Sequence, residues 1–168
     1  MIGTSRRSHA NIINRMAEGD AMTTIPDEVI KAAQAAQHKW KVPASVSLAQ
    51  WIIESGWGQH EPFGSNNPFG IKAVKGRPSV SAPTHEFIHG RYVSTTARFA
   101  KFASLADAFD AHAKLIATRA PYRSVMLAKT SEEFAERLTH IYATDPNYGH
   151  KLVALMRQYG LEKYDTGA

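Results

Sequence analysis

A chain of 168 residues with 43% hydrophobic content can bury a core of its own, so one compact domain is expected. It has no cysteine, which excludes disulfides and thiolate metal sites. Twenty Lys and Arg against fifteen Asp and Glu leave a net charge of +5, a mild bias toward polyanions that does not choose among them, and no apolar run approaches membrane-spanning length.

Residues 1–22 are polar and weakly patterned and read as an N-terminal arm of low order, with at most a marginal helical turn over 11–16. Residues 1–20 carry arginines but no apolar h-region, so an ordinary secretory signal is not expected. The domain proper is expected over 23–163, with 164–168 as a C-terminal tail. Pro26 suits a first helical position and Asp27 and Glu28 complement its positive end, which predicts a core helix with Val29, Ala33, Ala36 and Trp40 on one stripe. Pro43 opens a second, amphipathic helix on which Val46, Ala49, Gln50 and Ile53 recur at three- and four-residue spacing, ending near Ser55-Gly56-Trp57-Gly58. The short connection favours an antiparallel or steeply crossed pair.

Over 60–102, repeated proline and glycine break any helical period. Segments 84–88 and 92–102 have strand composition with His89-Gly90 between them, which predicts a β-hairpin and a small lobe forming one wall of a cleft. Ser104 with Asp107 caps a helix carrying Leu105, Ala108, Phe109, His112, Leu115 and Ile116, which stops before Pro121. Thr130 with Glu133 forms a second capping box, leading into Phe134, Leu138 and Ile141. Asp145-Pro146 starts a last helix with Tyr148, Leu152, Leu155 and Tyr159 on one face and Gly160 at its end. The class is mainly α (α+β), a helical domain with one β insertion.

Glu54 stands out because the last turn of a helix faces the negative end of the macrodipole, which disfavours a carboxylate. A neighbouring tryptophan adds desolvation in the same direction, and a raised pKa is what a general acid needs near neutral pH. Asn66, Asn67 and Phe69 in SNNPFGIK put two amides and a ring in one loop, a mixture that suits a binding site, although asparagine and glycine also make turns with no ligand. Trp57 suits either the core or, sharing the face of Glu54 three residues earlier, the groove. The histidines show no HExxH or similar spacing and there is no GxSxG, so neither a metal site nor a serine nucleophile is expected, and no cofactor.

AQWIIESGWG followed by SNNPFGIKA, a hairpin ending in ARFAKFASLADAF, then APYRSVM and YATDPNYGHKL resemble, in that order, the signatures of the glycoside hydrolase family 73 glucosaminidases. The resemblance runs from about Pro26 to Leu161 and implies a lysozyme-like fold with a β-lobe across a substrate groove. It also implies hydrolysis of the β-1,4 link after N-acetylglucosamine in peptidoglycan glycan strands, by a monomer acting in the periplasm or cell wall. On this resemblance Glu54 is the proton donor and Tyr142 of YATDP a catalytic tyrosine, while Trp57, Asn66, Asn67, Phe69, Tyr122 and Tyr148 bind substrate, with amides on sugar hydroxyls and acetamides and a ring against a pyranose face. Glu86 of PTHEFIHGR matches an acidic hairpin position, as a base toward water or only an exposed strand charge, the alternative being attack by the substrate's own acetamido group. A lytic transglycosylase, a muramidase and a non-catalytic glycan-binding or assembly module are the competing readings. Neither nucleic acid nor a membrane span is expected. Release by a phage holin or injection by a specialised secretion system would deliver such a protein, the second implying an immunity protein that occludes the groove.

Overall fold

The computed structural model describes residues 24–166; the N-terminal arm expected over 1–22 lies outside the described residues. Helix α1 (Asp27–Trp40) begins where the Pro26 carbonyl accepts the amides of Val29 and Ile30, and it stops at Lys41 in the left-handed conformation. Helix α2 (Ala44–Ser55) follows Pro43 directly. Every residue of α2 except Glu54 is buried, so it is a central helix rather than the amphipathic one expected. The difference comes from polar residues whose partners are remote in sequence. Ser45 gives its backbone amide and hydroxyl to the Asp165 carboxylate at 2.7 and 2.8 Å, and Gln50 gives its amide to the Tyr148 hydroxyl at 3.1 Å. Spacing alone reads such residues as a solvated face.

Strands β1 (Ser79–Ile88) and β2 (Arg91–Ala100) form one antiparallel hairpin, in register from Ser79 opposite Ala100 to Ile88 opposite Arg91. The first strand starts five residues before its expected onset at Thr84, running through Pro83 opposite Thr96. In a two-stranded sheet every strand is an edge, so a missing N–H is tolerated. Segment 65–73 straps the lobe to the helices: the Phe102 amide bonds to Ser65 O, the Ala100 amide to Ile71 O and the Ala73 amide to Arg98 O, at 2.8, 2.8 and 3.0 Å.

Helix α3 (Leu105–Thr118) starts as its cap predicts, the Ser104 hydroxyl accepting the Asp107 amide at 3.1 Å. It packs on α1, with Asp110 taking both Lys39 Nζ and Trp40 Nε1 at 2.8 Å. Two 3-10 turns, Ala120–Tyr122 and Val125–Leu127, lead to α4 (Ser131–Arg137), capped by Thr130. Helix α5 (Tyr148–Tyr159) starts later than Asp145-Pro146 suggests, because Asp145 folds a turn first, its carboxylate and carbonyl taking the amides of Asn147 and Tyr148. Residues 164–166, expected in a tail, are tied down instead. Gln34 bonds to Tyr164 O, Gln37 to Thr166 O, and Asp165 to Ser45 and Ser131. No described helix is long and apolar enough to cross a membrane.

Candidate active site

Glu54 occupies the last turn of α2, and the chain reverses immediately after it. Gly56, Trp57 and Gly58 all take positive φ, at 56°, 62° and 78°, and the Ser55 hydroxyl accepts the Gly58 amide at 2.8 Å while donating to Trp51 O. Glycine suits this turn at Gly58, where φ is 78° and a Cβ would crowd the Trp51 ring at 3.0 Å. The turn carries the backbone away from the end of α2, leaving the Glu54 side chain partly exposed.

Tyr148, the first residue of α5 and itself fully buried, donates its hydroxyl proton to Glu54 Oε1 at 2.8 Å. Burial pushes the Glu54 carboxyl up to about 8, against the opposing pull of the Tyr148 hydrogen bond. Its position at a helix C-terminus acts in the same upward direction. Glu54 therefore holds a proton at neutral pH. Oε1 is engaged by Tyr148, whereas Oε2 has no hydrogen bond from any described residue and is not among the buried polar atoms lacking a partner, so it is open to solvent.

Behind this pair runs a column of rings. Tyr142 stacks on Tyr148 with centroids 5.5 Å apart, His112 meets Tyr142 edge-on at 5.7 Å, and Phe69 stacks on His112 at 3.9 Å. Burial with no charged partner holds His112 at about 3, so the imidazole is neutral. Burial first, and then the nearby Glu54 charge, raises the phenol of Tyr142 as well as that of Tyr148, so both hydroxyls remain protonated.

The sequence profile described as Glucosaminidase, mannosyl-glycoprotein endo-beta-N-acetylglucosaminidase, matches residues 30–161. The chain belongs to this glucosaminidase family, glycoside hydrolase family 73. It is 31% identical over 172 residues to the exo-glucosaminidase LytG of Bacillus subtilis (98% of this chain, 61% of LytG). It is 35% identical over 135 residues to the peptidoglycan hydrolase FlgJ of Salmonella typhimurium (75% of this chain, 42% of FlgJ). The chain thus spans less than two thirds of either relative. Its fold is similar to the catalytic domain of the autolysin Auto from Listeria monocytogenes, with a TM-score of 0.75, 29% identity and coverage of 93% of this chain and 96% of that one. The mainly helical, lysozyme-like class expected from the motifs is the one observed.

Within the glucosaminidase fold the remaining expected residues divide by burial. Tyr142, expected in the cleft, is 1% exposed and stacks on Tyr148, near enough to Glu54 to sense its charge, and its buried hydroxyl has no hydrogen-bond partner among the described residues. Tyr122 is also buried, close enough to Tyr142 for its charge to affect that phenol. Phe69, expected to offer a face to a sugar, is wholly enclosed between His112 and Phe109. Asn67 is fully buried, giving its amide to Ile71 O and Ala100 O and taking the Ile71 amide, so its role is to lock the strap. Asn66 takes a left-handed φ of 49° and bonds to Phe102 O at an exposed position. Trp57 is not in helical register with Glu54, since the helix has ended; it packs edge-on against Trp51 and Tyr159. The backbone of Glu86 pairs with Val93, and its side chain lies outside the described residues.

Sequence reasoning missed two contributors, Gln50 and Gly149. Gln50 falls among the periodic positions of its helix, and its one signal in the sequence is a polar residue four before the acid on the same helix face. Gly149 follows Tyr148 where α5 meets α4, and a Cβ there would stand 2.6 Å from Glu136 Cα. A surface recess of about 430 Å3 between α4 and α5 does not include Glu54. Two of its carboxylates pair with arginines, Glu132 with Arg157 and Glu133 with Arg137, and the third, Glu136, hydrogen-bonds to the His150 ring.

Proposed function

We propose that this domain hydrolyses the β-1,4 glycosidic bond after N-acetylglucosamine in peptidoglycan glycan strands, with Glu54 as general acid. The observation that carries the reading is a single carboxyl at the end of an otherwise buried helix, held protonated to about pH 8, with one oxygen bonded to Tyr148 and the other open. The similarity to LytG, an exo-glucosaminidase, and to FlgJ, a peptidoglycan hydrolase, supports this reading.

In this mechanism the Oε2 proton passes to the glycosidic oxygen as the bond from that oxygen to the anomeric carbon breaks, leaving Glu54 ionised. The Tyr148 hydrogen bond then rests on a carboxylate, where it is strongest. Water attacks the anomeric carbon and gives its proton to a base, a role the reading assigns to Glu86. Activity requires protonated Glu54 and is expected to fall as pH rises through about 8. The substrate locates the activity at the cell wall or periplasm, and the net charge of +5 favours residence on an anionic wall. Delivery as a contact-dependent effector would require an immunity protein seated over Glu54, and a pull-down from the source cells that yields no such binder counts against that version.

The test is solubilisation of dye-labelled sacculi by the unmodified protein and by Glu54→Gln, alongside co-sedimentation with intact sacculi. The expected result is at least a hundredfold loss of release, on the order of what a general acid contributes, with co-sedimentation unchanged. Equal release by the two proteins removes Glu54 from the mechanism. No release by either favours a glycan-binding module.

A further inference from the structure

We infer that Gln50 is a positioning residue for Glu54: by donating its amide N–H to the Tyr148 hydroxyl oxygen, it directs that hydroxyl's proton onto Glu54 Oε1 and so keeps the transferable proton on Oε2. The inference rests on the hydrolase reading above and specifies how its acid is set. Gln50 and Glu54 lie one helical turn apart on α2, and both reach the same phenol. A phenol has one proton, so its direction is a choice between two neighbours. Gln50 Nε2 lies 3.1 Å from the phenol oxygen, and that oxygen lies 2.8 Å from Glu54 Oε1, the shorter spacing falling on the bond to the carboxyl.

The reaction adds a chemical reason for this direction. Once the proton has left Oε2, the carboxylate can only accept, and Tyr148 can serve it only while its own oxygen is served by a different donor. Gln50 supplies that donor from a fully buried site, where no solvent competes for the phenol. Accepting a hydrogen bond also polarises the phenol and strengthens the bond it donates.

The ionisable surroundings are simple. Tyr148 of α5 bonds to Glu54, and Tyr142, from the segment after α4, lies near enough to feel its charge; His112 of α3 meets the Tyr142 ring, and Tyr122 of the first 3-10 turn acts on its phenol. Asp165 meets α2 at Ser45, near the helix's other end. No lysine or arginine among the described residues contributes to the shift of Glu54. The side chain of Glu86 lies outside the described residues, so the test must read Glu54 itself.

The experiment follows the Glu54 carboxyl by 13C NMR titration of glutamate-labelled full-length protein, together with the alkaline limb of the rate of sacculus digestion. Both are recorded for the unmodified protein, for Gln50→Met, for Gln50→Leu as a second apolar replacement, for Tyr148→Phe, and for Tyr148→Phe combined with Gln50→Met. Tyr148→Phe removes the bond that lowers Glu54 and is expected to raise its midpoint by about one pH unit. Gln50→Met or Gln50→Leu only weakens that bond, with an expected rise of roughly half a unit in both titration and limb, and a fall in maximal rate at constant KM. With Tyr148 already replaced, Gln50→Met should add no further shift. An unmoved Glu54 midpoint in the folded Gln50 variants, or an equal shift with and without the phenol, overturns the inference and leaves the hydrolase reading standing. An unmodified protein that digests nothing overturns the hydrolase reading, while the carboxyl titration still decides whether Gln50 acts through Tyr148.

Discussion

At the scale of single residues, desolvation holds two groups neutral, one by keeping a proton and the other by losing it. Glu54 is raised from 4.5 to about 8, chiefly by burial, so between those values the folded protein keeps a proton that the unfolded chain releases. Stability contributed by this site is therefore full below about pH 4.5, declines as pH rises, and levels off above about 8. His112 works the other way. Lowered by burial from 6.5 to about 3, it must be neutral in the fold, so stability falls as pH drops from 6.5 toward 3. Between 4.5 and 6.5 the two slopes oppose each other, which predicts a plateau from this pair with a fall on either side. Thermal melts across pH should show Glu54→Gln gaining on the unmodified protein progressively above pH 4.5, with the difference constant beyond about 8. A difference that does not change with pH contradicts the protonated, desolvated carboxyl. The polar residues around this acid were only partly legible in the sequence. Glu54 could be read from its place at a helix end before a glycine turn, a local signal, whereas Gln50 depends on a phenol 98 residues away and has no local signature.

At the scale of elements, the site is a junction of two helix ends: the last turn of α2 supplies Glu54 and the first residue of α5 supplies Tyr148. The approach of α5 to α4 sets where Tyr148 stands, and Gly149 sets that approach. A Cβ at Gly149 would meet Glu136 Cα at 2.6 Å, Thr139 Oγ1 at 2.7 Å and Ala135 O at 2.9 Å, of which the two main-chain contacts cannot turn aside. Gly149→Ala is therefore expected to cost about 1 to 3 kcal/mol in stability by overpacking. It should also lower the digestion rate about tenfold or more, because Tyr148, its neighbour, is displaced from Glu54. Chemical denaturation and rate measurements on the one variant check both; a stability loss with full activity would show that the α4 contact does not govern the site. Helix starts at Ser104 and Thr130 were legible because a cap is a contact between near neighbours, accepting the amides of Asp107 and Glu133. The onset of β1 was missed because Pro83 reads as a breaker until the sheet is known to have two strands.

At the scale of the whole molecule, the column Phe109, Phe69, His112, Tyr142 and Tyr148 joins α3, the strap after the turn and α5 to the acid, so the core and the site share residues. Several residues expected to touch sugar are spent on this scaffold. Motif order placed them in the right region, but type and spacing do not separate a ring that lines a groove from one that backs it. The central claim is chemical: Glu54 delivers one proton to a glycosidic oxygen, and water completes the cleavage. The measurement that tests it most directly is mass spectrometry of the glycan fragments released from purified sacculi by the unmodified protein and by Glu54→Gln. The account predicts fragments ending in reducing N-acetylglucosamine from the first and none from the second. Anhydro ends, reducing N-acetylmuramic acid ends, or the same fragments from both proteins would contradict it.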